Sequence, residues 1–340
     1  MNELPKLMET RKIQITGGST YIVSLPKKWV KKAGIKNGDY IILNPQADGT
    51  LLINPKLKNG SEKPKKSINI EYDETEKMTR KFIAAYLSGY DIIEFRSKNR
   101  LTPPVRQRIR DLSHYVIGPE IIDETMTSMT VQDLIDAGEF SLKKGLRRMH
   151  IITREMYNDA ITSLKEKDKQ LAKDVESRDD EVDKLYWMIA KQYNLIMQDV
   201  FFAEKMGFTP VGALSYLLIA RAIERIADHA KKLASNVENI HTNNKIIYNI
   251  VEVSTKIGAI LDAAMNAFYA KRFEEANEVV NAAKKISRNI DKIRHALMEI
   301  KEDTLETVSF AYIIDSLERI RSYALDIAET SINQQFAKKQ

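Results

Sequence analysis

The chain has 340 residues, 43% of them apolar, and no cysteine, so two or three domains with sizeable cores are expected, and disulfides, thiolate zinc sites and cysteine nucleophiles are excluded. No apolar run approaches the roughly 18 residues that span a bilayer, and the opening MNELPKLMETRK lacks a signal-peptide core, which predicts a cytoplasmic protein without direct membrane insertion. The net charge of +6 is unevenly placed: residues 1–66 hold 13 Lys and Arg against 5 Asp and Glu, a net +8, which leaves −2 for residues 67–340. This asymmetry points to an N-terminal module that meets a polyanion and a remainder with another task.

In chain order, residues 1–56 read as short strands in RKIQITGG, TYIVSL, DYIILNP and TLLINP, with turns at Gly17-Gly18, Asn37-Gly38-Asp39 and Asp48-Gly49. Between them PKKWVKKAG predicts a short helix opened by Pro26 and stopped by Gly34. So small a strand-rich unit buries little by itself, so a partner chain is expected. Residues 57–66 read as a polar linker. Residues 67–135 alternate strand and helix: SINIEY, ETEKMTRKFIAAYLSG, DIIEFRS, PPVRQRIRDLSH, EIIDET and SMTVQDL. They predict a small α/β domain without a phosphate-loop glycine pattern.

From residue 136 onward the period is helical. Met149, Ile152, Met156, Ala160 and Leu164 mark one apolar face, and Leu214, Leu217, Leu218, Ile226, Leu233 and Val237 another. Six helices are expected, near 138–167, 168–205, 210–240, 246–270, 271–300 and 304–335. They group as two three-helix bundles, residues 136–242 and 243–340. A duplication explains the grouping, because RAIERIADHA at 221–230 returns 94 positions later as DSLERIRSYA.

Glu224 and Asp228 stand four apart, one above the other on a helix, as do Asp179 and Asp183 one helix earlier. Like charges so placed repel by a few tenths of a kcal/mol, so Arg221, Arg225 or a metal must compensate. If the two helices pack antiparallel, four carboxylates converge into an oxygen-rich site suited to iron, manganese, magnesium, zinc or calcium. The alternative is a solvated, salt-bridged helix face. A di-iron oxidase site is not expected, because it needs two Glu-x-x-His motifs and only Glu238-Asn239-Ile240-His241 has that spacing. His229 reads as a surface or hydrogen-bonded residue.

LLIARAIERIADHAKKLA resembles the signature helix of PhoU-type phosphate-signalling proteins, and DVESRDDEVDKLYWMI resembles that family's preceding helix. The resemblance covers residues 136–340. It implies metal binding on the bundle surface by Asp179, Asp183, Glu224 and Asp228. The second copy keeps Glu318 and Arg319 but has Ser322 and Tyr323 for the aspartate and histidine, and Ser287 stands four residues before Asp291. One good metal cluster per chain, in the first half, is therefore expected. Ala227 replaces a usual glycine and favours the helix.

The ordered set LPKKWVKKAGIKNGDYIIL resembles the swapped-hairpin DNA-binding domains of the AbrB, SpoVT and MazE kind, in which two chains intertwine into one β-barrel. Arg11, Lys12, Lys27, Lys28, Lys31 and Lys32 are the candidate DNA contacts: lysine and arginine gain affinity by releasing counterions, and Arg11 is placed to read guanine. The resemblances imply a homodimeric, non-enzymatic transcription regulator of phosphate uptake on a pseudo-palindromic operator. The rival expectation is an adaptor that inhibits a phosphate-transporter ATPase or a sensor kinase by contact, its barrel only dimerising.

Overall fold

The computed structural model describes residues 9–45, 49–55, 63–70, 75–241, 245–299 and 304–336. The chain separates into two units at Glu62/Lys63.

In the first unit, β1 (Gln14–Thr16) pairs antiparallel with β2 (Thr20–Ile22), and β3 (Ile42–Pro45) with β4 (Leu51–Asn54). Helix α1 (Lys27–Ala33) lies between them and ends at Gly34, whose φ of 71° needs a residue free of a Cβ penalty. The strands make two separate hairpins within the chain. None of the described residues 9–55 is buried.

The second unit opens with β5 (Lys65–Asn69), which begins inside the stretch expected to be linker. Helix α2 (Thr75–Leu87) supplies the crossover that a parallel pair requires, so β5 lies parallel to β6 (Ile92–Arg96). Helix α3 (Pro103–His114), with prolines where no helical N–H is needed, leads to the hairpin β7 (Pro119–Glu124) and β8 (Ser128–Asp133), giving the order β5-β6-β8-β7. Ile68, Ile93, Phe95, Met129 and Val131 line one face and pack with Phe82, Tyr86, Ile109 and Leu112 of the helices.

The helical region contains α4 (Leu142–Glu166), α5 (Lys169–Gln198), α6 (Val200–Met206), α7 (Pro210–Ser235), α8 (Lys245–Ala270), α9 (Phe273–Met298) and α10 (Thr304–Phe336). The helix expected over 168–205 is two: Asp199 adopts an extended conformation and its carboxylate caps the N–H groups of Phe201 and Phe202 at 2.9 and 3.4 Å, which ends α5 and starts α6. Helices α4, α5 and α7 form one half and α8, α9 and α10 the other, joined chiefly along α7 and α10. His229 and Tyr323, equivalent positions of the duplication, meet there with ring centroids 6.0 Å apart and ring planes tilted by 35°, as residues near a two-fold axis do.

The apolar face expected on α7 is displaced in its first half. Leu214 and Leu218 are exposed, while Ala213, Tyr216, Ile219, Ala220 and Ile223 are buried. Because α7 is packed by α4, α5 and α10, it turns small alanines inward, where neighbouring backbones approach closely.

Helix α5 also carries the α/β domain. Lys191 forms a buried ion pair with Asp133 and lies over the Tyr86 ring, 4.7 Å from its centroid. Asn194 donates to the Leu87 carbonyl at 3.1 Å. Gly89, at φ 80°, approaches α5 so closely that a Cβ would lie 2.6 Å from Leu195 Cδ2.

Candidate metal and nucleic-acid sites

The facing surfaces of α5 and α7 bring the four expected carboxylates near one another. Asp179 is buried, and its Oδ2 accepts a 2.9 Å hydrogen bond from Lys231 Nζ while Oδ1 has no partner. Glu224 Oε1 accepts from Arg221 at 3.1 Å; its Oε2 is buried without a hydrogen bond, 3.6 Å from Arg225 Nε. Asp228 accepts from Arg225 at 3.3 Å. Asp183 forms no hydrogen bond or ion pair among the described residues.

Repulsion and burial act together here. Asp183 is pushed up to about 6, first by burial and then by the charges of Asp179 and Asp228. Glu224 is pushed up to about 7, chiefly by burial, with Arg221 opposing and Asp228 and Asp183 adding to it. Asp228 is raised by burial and by Asp179. Lys231 is raised by its hydrogen bond to Asp179, which stabilises its charged form.

The donors fit a hard cation in kind: all are carboxylate oxygens, two of them buried and unpartnered. In arrangement they do not yet enclose one, for no group of three or more His, Asp or Glu side chains surrounds a common point among the described residues. Lys231, Arg221 and Arg225 compensate the charge, so these groups would have to turn aside for a metal. Lys231 was not singled out by sequence spacing, because it crosses from α7 to α5. Nor was Tyr115, which follows α3. Its phenol is raised by burial and by Asp183, and its ring stands 6.4 Å from that of Trp187.

His229 departs from its expected role. It is half-buried with Nδ1 unpartnered, and burial together with Lys232 lowers its pKa. In the second half, Glu318 Oε1 accepts from Arg321 at 2.8 Å and from the neutral Ser287 hydroxyl at 3.4 Å, and Asp291 pairs with Arg294 at 2.9 Å.

On the first unit, Lys27, Lys28, Lys31 and Lys32 project from one side of α1 and are exposed, as is Lys12; none has a hydrogen bond or ion pair among the described residues. Arg11 differs, being ion-paired with Glu9 and donating to the Thr10 carbonyl at 3.2 Å. Among the described residues no single helix is long and apolar enough to cross a membrane.

Comparison with known proteins places this geometry. The PhoU domain model matches twice, over residues 146–237 and 250–331, together about half of the chain. The model of the bacterial antitoxin MazE matches residues 14–62. The phosphate-specific transport system accessory protein PhoU homolog 2 of Thermotoga maritima is 24% identical over 202 residues, 56% of this chain and 82% of that protein. The PhoU homolog of Clostridium acetobutylicum is 22% identical over 205 residues, 56% of this chain and 89% of its own. The crystal structure of PhoU from Pseudomonas aeruginosa aligns with a TM-score of 0.52 at 20% identity, covering 58% of this chain and 96% of that one. The phosphate transport system regulatory protein PhoU from Streptococcus pneumoniae aligns with a TM-score of 0.50 at 16% identity, covering 58% and 94%. At such identities the two structures establish the shared helical fold. With the domain repeated across both three-helix halves, the chain belongs to the PhoU family of phosphate-transport regulators and carries a MazE-like domain at its N-terminus.

Proposed function

We propose that the protein is a cytoplasmic, non-enzymatic, homodimeric DNA-binding regulator of phosphate uptake, whose first helical half binds a metal ion through Asp179, Asp183, Glu224 and Asp228. The observation that carries this reading is the state of the first unit. Ile13, Ile15, Tyr21, Tyr40, Leu43 and Leu51 are all exposed on a unit none of whose described residues is buried, a cost that a second copy removes by completing a barrel from the two pairs of hairpins. Helix α1 carries four lysines and no acid. Lys27 and Lys28 in its first turn work against the helix dipole, and phosphate groups of DNA would relieve that repulsion.

A bound Fe, Mn, Mg, Zn or Ca ion would supply the positive charge that Lys231 and the two arginines now provide. The carboxyls of Asp183 and Glu224 would bind as anions, so their raised protonation ties occupancy to pH. A change on α5 would reach the α/β domain through Lys191 and Asn194.

The decisive experiment selects bound fragments from sheared DNA of the source genome at physiological salt. Enrichment upstream of phosphate-transport genes is expected. Failure to enrich, with the dimer intact, would favour the adaptor reading. One surface supports that alternative: Val211, Leu214 and Leu218 on α7, with Met197 and Val200, expose apolar side chains suited to a phosphate-transporter ATPase or a sensor kinase. The metal is tested separately by elemental analysis. Glu224→Ala with Asp228→Ala should remove it, whereas Glu318→Ala should leave its content almost unchanged.

A further inference from the structure

We infer that the groove between α8 and α9, in the second helical half, is a binding site for a small oxyanion bearing phosphoryl or carboxylate groups. The groove has a volume of about 230 Å³ and is lined by Asn249, Glu252 and Lys256 from α8, and Asn289 and Lys292 from α9. Val253 and Ile293, each 4% exposed, form its floor and hold the two helices in register.

The chemistry of the lining is one-sided. Glu252 is the sole carboxylate there and is held by Lys256 at 2.6 Å. Lys292, Asn249 and Asn289 have no hydrogen bond or ion pair among the described residues. An ammonium and two amide NH₂ groups thus stand ready to donate around one depression, and an oxyanion presents several acceptor oxygens to satisfy them together. The volume lies below the usual range of about 300–1,000 Å³ for drug-sized ligands, which restricts the occupant to the size of phosphate, pyrophosphate or a short polycarboxylate.

The duplication supplies a second, independent argument. RDDEVDK on α5 corresponds to ISRNIDK on α9, so Asp180 is answered by Arg288 and Glu181 by Asn289. Over residues 173–190 the first half carries 6 Asp and Glu against 3 Lys and Arg; over the corresponding 281–298 the second carries 1 against 5. Of those five, only Arg294 meets the single aspartate. One framework therefore presents opposite charge on equivalent helices. The first half concentrates carboxylates, and the second is basic, with Lys292 and Asn289 of α9 at the groove.

The test is calorimetric titration of the full-length protein with pyrophosphate, inorganic phosphate and citrate, each at constant ionic strength set with sodium chloride. Saturable binding of at least one probe is expected, weakened at least tenfold by Lys292→Ala with Asn289→Ala and substantially restored by Lys292→Arg alone. Binding of the phosphates but not citrate would identify a phosphoryl ligand, and the reverse a carboxylate. Lys27→Ala with Lys31→Ala should leave the affinity unchanged, which separates this groove from the basic N-terminal unit. Both altered groove residues lie at the surface of α9, and an unchanged thermal midpoint would verify the fold. Absence of saturable heat for all three probes would overturn the inference. So would equal affinity in the Lys292→Ala/Asn289→Ala protein, or loss of binding only in the N-terminal variant.

Discussion

The two helical halves share a framework and differ in what it carries. In the first, α5 and α7 face each other with four carboxylates, two of them pushed up to about 6 and about 7, and α5 also grips the α/β domain. In the second, Ser287 and Ser322 replace two of the aspartates, Glu318 accepts from Arg321 and Ser287 through Oε1 while its Oε2 is buried without a partner, and α9 is basic. After duplication the cores retained their pattern while the surfaces diverged. Core residues are constrained by packing on every side, whereas a surface helix position tolerates a change of charge at small cost.

The largest expected effect tests what the first half alone holds. Lys191→Met leaves Asp133 buried without its cation and should destabilise the protein by about 3–5 kcal/mol. Denaturant unfolding checks this, and a loss below 1 kcal/mol would mean that α5 does not clamp the α/β domain.

A smaller effect sharpens the contrast in charge. Glu224 holds its proton more tightly when folded than when unfolded, so between about pH 4.5 and 7 the folded state binds more protons and stability falls as pH rises. In chelator, Glu224→Gln should therefore raise stability at pH 8 by about 1–3 kcal/mol, less what the exposed Arg221 loses, and the gain should vanish below about pH 4.5. A stability difference independent of pH would refute this account. By the same linkage, metal affinity should rise from pH 5.5 to 7.5, with protons released on binding.

The smallest effects concern DNA. Lys27→Ala should weaken all DNA sites alike and lower the salt slope by about 1. Arg11→Ala should cost preference among sites more than overall affinity. Equal losses on specific and random DNA for both variants would count against the role assigned to Arg11, which in the free chain is engaged by Glu9.

Much of the architecture was legible from local pattern. The prolines of PPVRQRIRDLSH set α3 at Pro103–His114, and EIIDET and SMTVQDL marked the strands β7 and β8, though not their pairing as a hairpin. The break at Asp199 was not, because a capping carboxylate in mid-helix reads as one more polar residue in a long periodic run. Nor was the exposure of Leu214 and Leu218, since leucines dominate a hydrophobic period even where alanines make the contact. For the candidate site, spacing placed Glu224 over Asp228 and Asp179 over Asp183. It left open whether a metal or arginines compensate them.

By itself the sequence determined the helical duplication, the uneven charge and the carboxylate spacing, because each is read from residue identity and position along the chain and needs no contact across it. Tertiary structure decided that Lys231 reaches Asp179, that Tyr115 of the α/β domain stands beside the acidic face, and that Asn249 and Lys292 share a groove. Those are contacts between helices, set by packing angle and register, and periodicity along one chain does not encode which residue of a neighbouring helix lies opposite.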